Sequence, residues 1–419
     1  MLKEPKKPQD EGRSGIDFYY SGFRADPYTT YEYMRRFKPV CMVKPDDIWA
    51  ITRAADVEYV LSNPHIFSST CFDLMYDAEW LKKKLRTPRL IISQDPPDHR
   101  QYRQILSNVF TREYVESLEP LMREAALSLL VNFNNNSQVD FVKQFSYPYI
   151  GKIMRQIIGL GETQTIEELK QWVELEEQVT FSRPSEEFIK IYEAITLKQH
   201  KFYRDVFKAR LKNPQNDLVT LILNAEVDNK RLTEKELFGL MNLTVSAGFS
   251  TTVQMLNNGI ILLSRRPELV AQLVKSPDLI PAFIEELLRF SPAATGTMRI
   301  TTETVVLANI TIPKGEIVMA VLASANRDPH RFSNPDTFDI SRCNAKRHMT
   351  FGFGIHNCVG AALARIELKV AFEVLLQEFN AFHCPPHDEL VWEESVFIHG
   401  VSELPVRFSK TNIAVKEEV

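Results

Sequence analysis

A single thiol, Cys358, stands in the stretch FGFGIHNCVG (351–360), with glycines on both sides and the helical pattern AALARIELKVAFEVLLQEF directly after it. Glycine lets a loop turn sharply and bring its backbone close to a flat partner. A helix beginning near Val359 or Gly360 aims its unpaired N–H groups and positive dipole end at the sulfur, and both lower a thiol's pKa. A thiolate so placed can act as a nucleophile or bind a metal. A small buried hydrophobe is the third reading. The nucleophile needs a base and an orienting group; His356 is two residues away, but nothing local completes a triad. The other cysteines, Cys41, Cys71, Cys343 and Cys384, are widely spaced and form no C-x-x-C pair. They read as small hydrophobes, not as a zinc site or disulfide framework.

A second chemically unusual stretch is LTVSAGFSTTVQML (243–256). Thr233 and Glu236 make a T-x-x-E capping box, and Arg265, Arg266 and Pro267 make a stop. The helix between them spans about 33 residues, or about 50 Å, long enough to cross the molecule. Its middle is apolar on most sides yet holds Ser246, Gly248, Ser250, Thr251 and Thr252, all weak helix formers. Gly248 allows close approach to the backbone, and the hydroxyls can bond to carbonyls one turn back and open the helix locally. Tight packing on small residues is the competing explanation.

The elements that must position these residues come from a chain of 419 residues, 44% hydrophobic, with 50 basic and 54 acidic side chains and net charge −4. That composition supports a large core and gives no general pull toward nucleic acid or anionic lipid. The N-terminal MLKEPKKPQDEGRSG is charged and has no apolar core, so it reads as a tail and not as a signal peptide or membrane anchor. No apolar run approaches the roughly 18 residues that span a bilayer. A cytoplasmic protein is expected. The sequence predicts a helix over 27–37, two strands around a turn in 40–53, a helix ending at Pro64, and an irregular loop over 68–93. Helices then dominate from about 98 to 290, followed by small β ribbons from 292 and a final hairpin over 395–408. The fold class is mainly α with minor β, a single domain over 27–408 flanked by tails 1–26 and 409–419.

The cysteine loop resembles the haem-binding loop of the cytochrome P450 superfamily. Its F-x-x-G-x-x-x-C-x-G pattern is met at Phe351, Gly354, Cys358 and Gly360. Other stretches resemble family motifs in the same order. SAGFSTT resembles the oxygen-binding kink of the long central helix. EELLRF resembles the E-x-x-R motif, at Glu286 and Arg289. NPDTFDISR resembles the segment that closes on that pair, at Phe338 and Arg342, and DPPDHRQYR resembles a bacterial haem-propionate segment. The likeness covers nearly the whole chain and is closest to the soluble bacterial type. It implies a P450-like fold with haem b held between the central helix and the cysteine loop, and O2 as co-substrate. It implies Cys358 as the iron ligand and Phe351 beside it. It implies His99, Arg103, Arg299 and His356 around the haem propionates, Ala247 and Gly248 leaving room for O2, and Thr251 delivering protons. The residue before that threonine is commonly acidic in the family, and here it is Ser250. Protons then pass through Ser250, Thr251 and ordered water, or the substrate completes the relay, or the enzyme does not run the standard cycle.

Family resemblance places the pocket wall among Phe72, Tyr76, Phe181, Phe249, Thr295, Phe397 and Ile398, with His399 where a basic residue is common. That list suits a lipophilic small molecule of secondary metabolism, hydroxylated or epoxidised. No flavin or nicotinamide fingerprint is present, so electrons are expected from a ferredoxin and its reductase, or a flavodoxin-type donor. Arg100, Arg112, Lys346, Arg347 and Arg365 are candidate contacts. The competing readings are a haem-thiolate enzyme running peroxide-driven oxidation or oxidative coupling, and a non-catalytic haem-binding protein.

Overall fold

The Thr233 hydroxyl accepts from the Glu236 amide, and the Glu236 carboxylate accepts from the Thr233 amide, so the capping box forms in both directions. It opens a 31-residue helix, Glu234–Ser264, the central helix of the molecule. At 1.5 Å per residue it is about 46 Å long. It stays α-helical throughout, and the Thr251 hydroxyl donates to the Ala247 carbonyl at 2.9 Å. The computed structural model describes residues 15–410 except 45–46, 73–87, 89–90, 132, 134–137, 160–165 and 182–184, with the side chains of 176–181 also outside it.

Helices surround this rod. Tyr147–Ile158, Ile280–Phe290 and the cysteine helix Ala361–Glu378 pack against it, and one large apolar cluster fills the space between them. The β portion is smaller. A five-stranded sheet has the order Val40–Val43, Ile48–Ile51, Ile317–Ala320, Thr297–Thr301, Phe67–Ser68. Only the pairing of Ile48–Ile51 with Ile317–Ala320 is parallel. On strand Thr297–Thr301, alternation sends Thr297 and Arg299 to one side and Met298 to the other, where Met298 joins a second apolar cluster.

Three expectations change. The final segment is not a hairpin: Val401–Glu403 pairs with Val391–Trp392, while Pro405–Lys410 lies between Phe379–His383 and Gln138–Asp140. The leading tail is shorter than residues 1–26. Residues 15–26 include the helix Ser21–Ala25, and Phe18 and Phe23 stack at 4.4 Å and pack with Tyr31, Met298, Met319 and Phe397. At the other end, ordered strand continues to Lys410, past the expected boundary at 408.

Beneath the cysteine helix, Glu286 and Arg289 are both fully buried and meet through two hydrogen bonds of 2.7 Å. Arg342 adds a bond to Glu286, and the Asp339 amide adds another. The remaining Arg289 donors reach the carbonyls of Asn326, Pro335 and Thr337. Phe338 packs on Phe283 and Phe290 beside the pair. Burying two charges is costly unless every donor and acceptor is met, and here they are. Arg289→Met leaves Glu286 buried beside a half-emptied network, and the expected loss is roughly 3–5 kcal/mol of unfolding free energy. Urea denaturation measures it; a loss below about 1 kcal/mol would show that solvent or Arg342 alone satisfies the carboxylate.

Candidate functional site

One face of the central helix, carrying Leu243, Thr244, Ala247, Gly248, Thr251, Thr252 and Met255, forms one wall of a cavity of about 350 Å³. Those positions repeat at three- and four-residue spacing, as one helix face requires. The opposite wall is Thr350–Phe353, His356, Cys358–Gly360, Leu363, Ala364 and Glu367. The flanks come from Arg103 and Leu106 on the helix Asp98–Val109, from Phe110 at its C-cap, and from Thr297 and Arg299 on the strand.

The cysteine loop takes its shape from its own backbone. The Cys358 amide donates to the Phe351 carbonyl at 2.8 Å, closing the loop, and Gly352 and Gly354 adopt φ of +73° and +70°. A Cβ on Gly354 would lie 2.8 Å from the Leu61 carbonyl, so the loop lies directly on the helix Ala54–Ser62. The cysteine helix begins at Ala361 with Gly360 as its N-cap, close to the expected start. Cys358 faces the cavity but is otherwise enclosed by protein. Burial pushes its thiol up, and the opposing pull of the Gly360 amide, Arg103 and Arg365 does not overcome it. The helix terminus therefore does not by itself make a thiolate here; a bound metal cation would, since coordination deprotonates a thiol outright.

Around one end of the cavity, four nitrogen side chains converge. The His99 and His356 rings lie 4.2 Å apart, Nε2 of His356 bonds with the Ser69 hydroxyl at 2.9 Å, and Nε2 of His99 is buried with no hydrogen-bond partner. Burial holds His356 down to about 3, and Arg299, His99 and Arg103 push the same way. Burial likewise lowers Arg103 and Arg299. Among the described residues neither arginine forms a salt bridge, and Arg299 donates only to the Met298 carbonyl and the Thr297 hydroxyl. A buried guanidinium, Arg299, and a half-buried one, Arg103, beside an orphaned imidazole nitrogen call for anionic oxygen atoms from a ligand. A flat group with two carboxylates and a central metal fits that demand and the cysteine opposite.

The predicted residues divide as follows. Arg103, Ala247, Gly248, Thr251, Arg299, Phe351, His356, Cys358 and Gly360 line one cavity, and His99 touches its edge through His356. Gly354 shapes the loop without lining the cavity. The space left by Gly248 is occupied by Met154, whose methyl would lie 3.0 Å from an added Cβ. Ser250 is buried outside the lining. Phe249 packs on Tyr147, and the Thr295 hydroxyl is committed to the Val396 carbonyl at 2.5 Å. Phe72 and Phe397 belong to the second apolar cluster, and Ile398 bridges to Ala294. His399 stacks on Trp392, its Nδ1 bonds with the Arg24 carbonyl, and burial holds it down to about 4. None of these pocket candidates from Phe249 to His399 lines the cavity, because the apolar side chains that face each other across helix and sheet become core. Tyr76 and the Phe181 side chain lie outside the described residues. Among the docking candidates, Arg100, Lys346 and Arg347 are exposed, Arg112 pairs with Glu116, and Arg365 pairs with Glu285 at 2.5 Å and covers Phe351. The sequence reading missed Leu106, Phe110, Met255 and Glu367. Leu106 and Phe110 follow His99 and Arg103 at helical spacing, which could have marked them. Glu367 is a lone acid in the apolar pattern of the cysteine helix.

Comparison with known proteins gives one answer. The family model for cytochrome P450 matches residues 27–404. Cytochrome P450 107B1 of Saccharopolyspora erythraea is 33% identical over 401 residues, spanning 92% of this chain and 96% of that protein. The mycinamicin IV hydroxylase/epoxidase of Micromonospora griseorubida is 32% identical over 386 residues, spanning 90% and 94%. The solved structure of cytochrome P450 CYP109Q5 from Chondromyces apiculatus superposes with a TM-score of 0.86 at 30% identity, covering 94% of this chain and 98% of that one.

Gly352 and Gly354 separate two costs of the loop. Both have positive φ, but a Cβ on Gly352 would meet nothing nearer than 3.6 Å. Gly352→Ala is expected to cost about 1 kcal/mol of strain and Gly354→Ala about 3 kcal/mol or more. Thermal unfolding of the two variants checks the order; equal losses would mean that the contact with Leu61 relaxes freely.

Proposed function

The chain belongs to the cytochrome P450 family of monooxygenases, which use haem b and O2, and from that premise we propose that it inserts one oxygen atom into a lipophilic small molecule by hydroxylation or epoxidation. The observation that carries this reading is the meeting of Cys358, Thr251 and the uncompensated Arg103 and Arg299 in one cavity. When bound, the haem iron supplies O2 activation, with electron density donated by a thiolate ligand. Cys358 is that ligand in this reading. The Gly360 amide, which hydrogen-bonds the sulfur, and the Arg365 guanidinium, which covers the neighbouring Phe351 ring, tune its basicity. Arg103, Arg299, His99 and His356 hold the propionates. Their charge and donors are then balanced, as buried cations require.

Thr251 donates its own proton to the Ala247 carbonyl and leaves its oxygen lone pairs directed to the cavity. It therefore accepts from a water molecule and holds that water where a proton is needed. Leu106, Phe110, Leu243, Met255 and Ala293 exclude bulk water and favour apolar substrates, while Thr244 and Thr297 can orient a polar group. The mycinamicin relative supports a secondary-metabolite substrate. Electrons come from a separate ferredoxin with its reductase, or a flavodoxin-type donor, meeting exposed Arg100, Lys346 and Arg347. Such charges chiefly set the association rate.

Two variants test the reading. Cys358→Ala should abolish the thiolate-type Soret band of the reduced carbon monoxide complex; an unchanged band would assign the iron to another ligand. Thr251→Ala should reduce product formation on the order of a hundredfold, with electrons diverted to hydrogen peroxide. Product and peroxide yields per NADPH measure this, and unaltered coupling would remove Thr251 from proton delivery.

A further inference from the structure

Gly248 leaves a gap on the central helix, and a thioether from another helix fills it. Met154, on the helix Tyr147–Ile158, lines the cavity beside Gly248. An added Cβ on Gly248 would lie 3.0 Å from the Met154 methyl and 3.1 Å from its sulfur, so the thioether rests against backbone that carries no side chain. The central helix is unbroken at this point, so no kink supplies the gap.

Of the described methionines, only Met154 and Met255 line the cavity. Their sulfurs are held differently. The Met255 sulfur accepts from the Ala293 amide at 3.2 Å, which occupies a lone pair. The Met154 sulfur accepts no hydrogen bond among the described residues, and the position beside it is a glycine, which cannot shield it. Met298 and Met319 are buried in the second apolar cluster, and Met42 is exposed at the surface. Leucine would fill the same gap with a side chain of similar volume that peroxides do not attack. A thioether is soft, and peroxides convert it to the polar sulfoxide. With Cys358 committed to iron in the monooxygenase reading, the two thioethers are the readily oxidised side chains of the described lining.

Resting on the monooxygenase reading, we propose that Met154 is an oxidative modification site of the cavity, converted to methionine sulfoxide by hydrogen peroxide. The peroxide forms in the cavity when O2 takes up two electrons from the redox partner and two protons without reaching substrate. The Met154 sulfur lone pair attacks one peroxide oxygen. The O–O bond breaks, an S–O bond forms, and the second oxygen leaves as water. Sulfur is oxidised by two electrons and the peroxide is reduced by two. The product sets a polar oxygen into a wall that is otherwise apolar at this point, so unproductive turnover weakens the cavity's hold on lipophilic molecules.

The test treats the haem-loaded protein with a limiting dose of hydrogen peroxide and reads each methionine peptide by mass spectrometry, with and without imidazole, which ligates ferric haem and occupies the cavity. Met154 should gain one oxygen atom about tenfold or more faster than Met255. Imidazole should protect Met154 and leave exposed Met42 unprotected. An unmodified Met154 in samples where Met42 is oxidised, equal rates at Met154 and Met255, or no protection by imidazole each overturns the proposal. Binding of 4-phenylimidazole, followed by the Soret shift, reads the consequence. Its Kd should rise several-fold after peroxide in the wild type and stay unchanged in Met154→Leu; an equal rise in both refutes the effect on ligand affinity. The peptide rates in the wild type decide the site even if Met154→Leu does not fold. The reduced carbon monoxide spectrum of untreated protein keeps the two readings apart. A thiolate-type band with Met154 left unmodified sinks the modification site alone, whereas loss of that band in the wild type sinks the haem-thiolate reading.

Discussion

Unbalanced positive charge inside the protein is the constraint on which the rest of this structure turns. Arg103 and Arg299 are held near His99 and His356 with no carboxylate paired to either arginine among the described residues. A folded chain does not keep a buried guanidinium such as Arg299, with the half-buried Arg103 beside it, in that condition without return. The helix Asp98–Val109 delivers His99 and Arg103, the strand Thr297–Thr301 delivers Arg299 and the cysteine loop delivers His356, so all three are positioned by the same requirement. Cys358 on the opposite wall is the complementary demand: burial pushes its thiol up, and coordination to a metal cation would deprotonate it. Together the two ends specify a ligand that is anionic at its edge and metallic at its centre.

The scaffold meets a second electrostatic demand by different means. Glu286, Arg289 and Arg342 satisfy one another and the surrounding carbonyls, leaving nothing for a ligand. The adjacent Glu285 goes the other way along the helix. Burial alone would raise it, but His348 and Arg365 hold it down to about 2, and Arg365 continues onto the Phe351 ring. Neighbouring acids on one helix thus serve the loop, one by fixing residues 335–342 and one by fixing the ring beside the sulfur.

What the sequence revealed follows from how local each signal is. The capping box at Thr233 and Glu236, the glycines of the cysteine loop and the four-residue spacing of His99 and Arg103 need only their neighbours, and each was legible. Pairing of Pro405–Lys410 with strands more than twenty and more than two hundred residues away was not, because turn chemistry carries no information about distant edges. Pocket side chains were hardest. Whether Phe249 or Thr252 faces the cavity depends on the rotational setting of a helix apolar on most sides, and packing fixes that setting. Aromatic type drew attention to Phe72, Phe249 and Phe397, which became core, while Glu367 was passed over inside an apolar run.

The packing of the first described segment has a consequence for biosynthesis. Phe18, Phe23 and Tyr31 find their partners in Met298, Met319 and Phe397, which the ribosome makes nearly three hundred residues later or more. At bacterial elongation rates those rings wait on the order of tens of seconds before their cluster can close. During that interval the nascent chain presents a sticky aromatic patch near its leading end, so its yield in a cell will depend on chaperone capacity and translation speed as much as on the supply of haem.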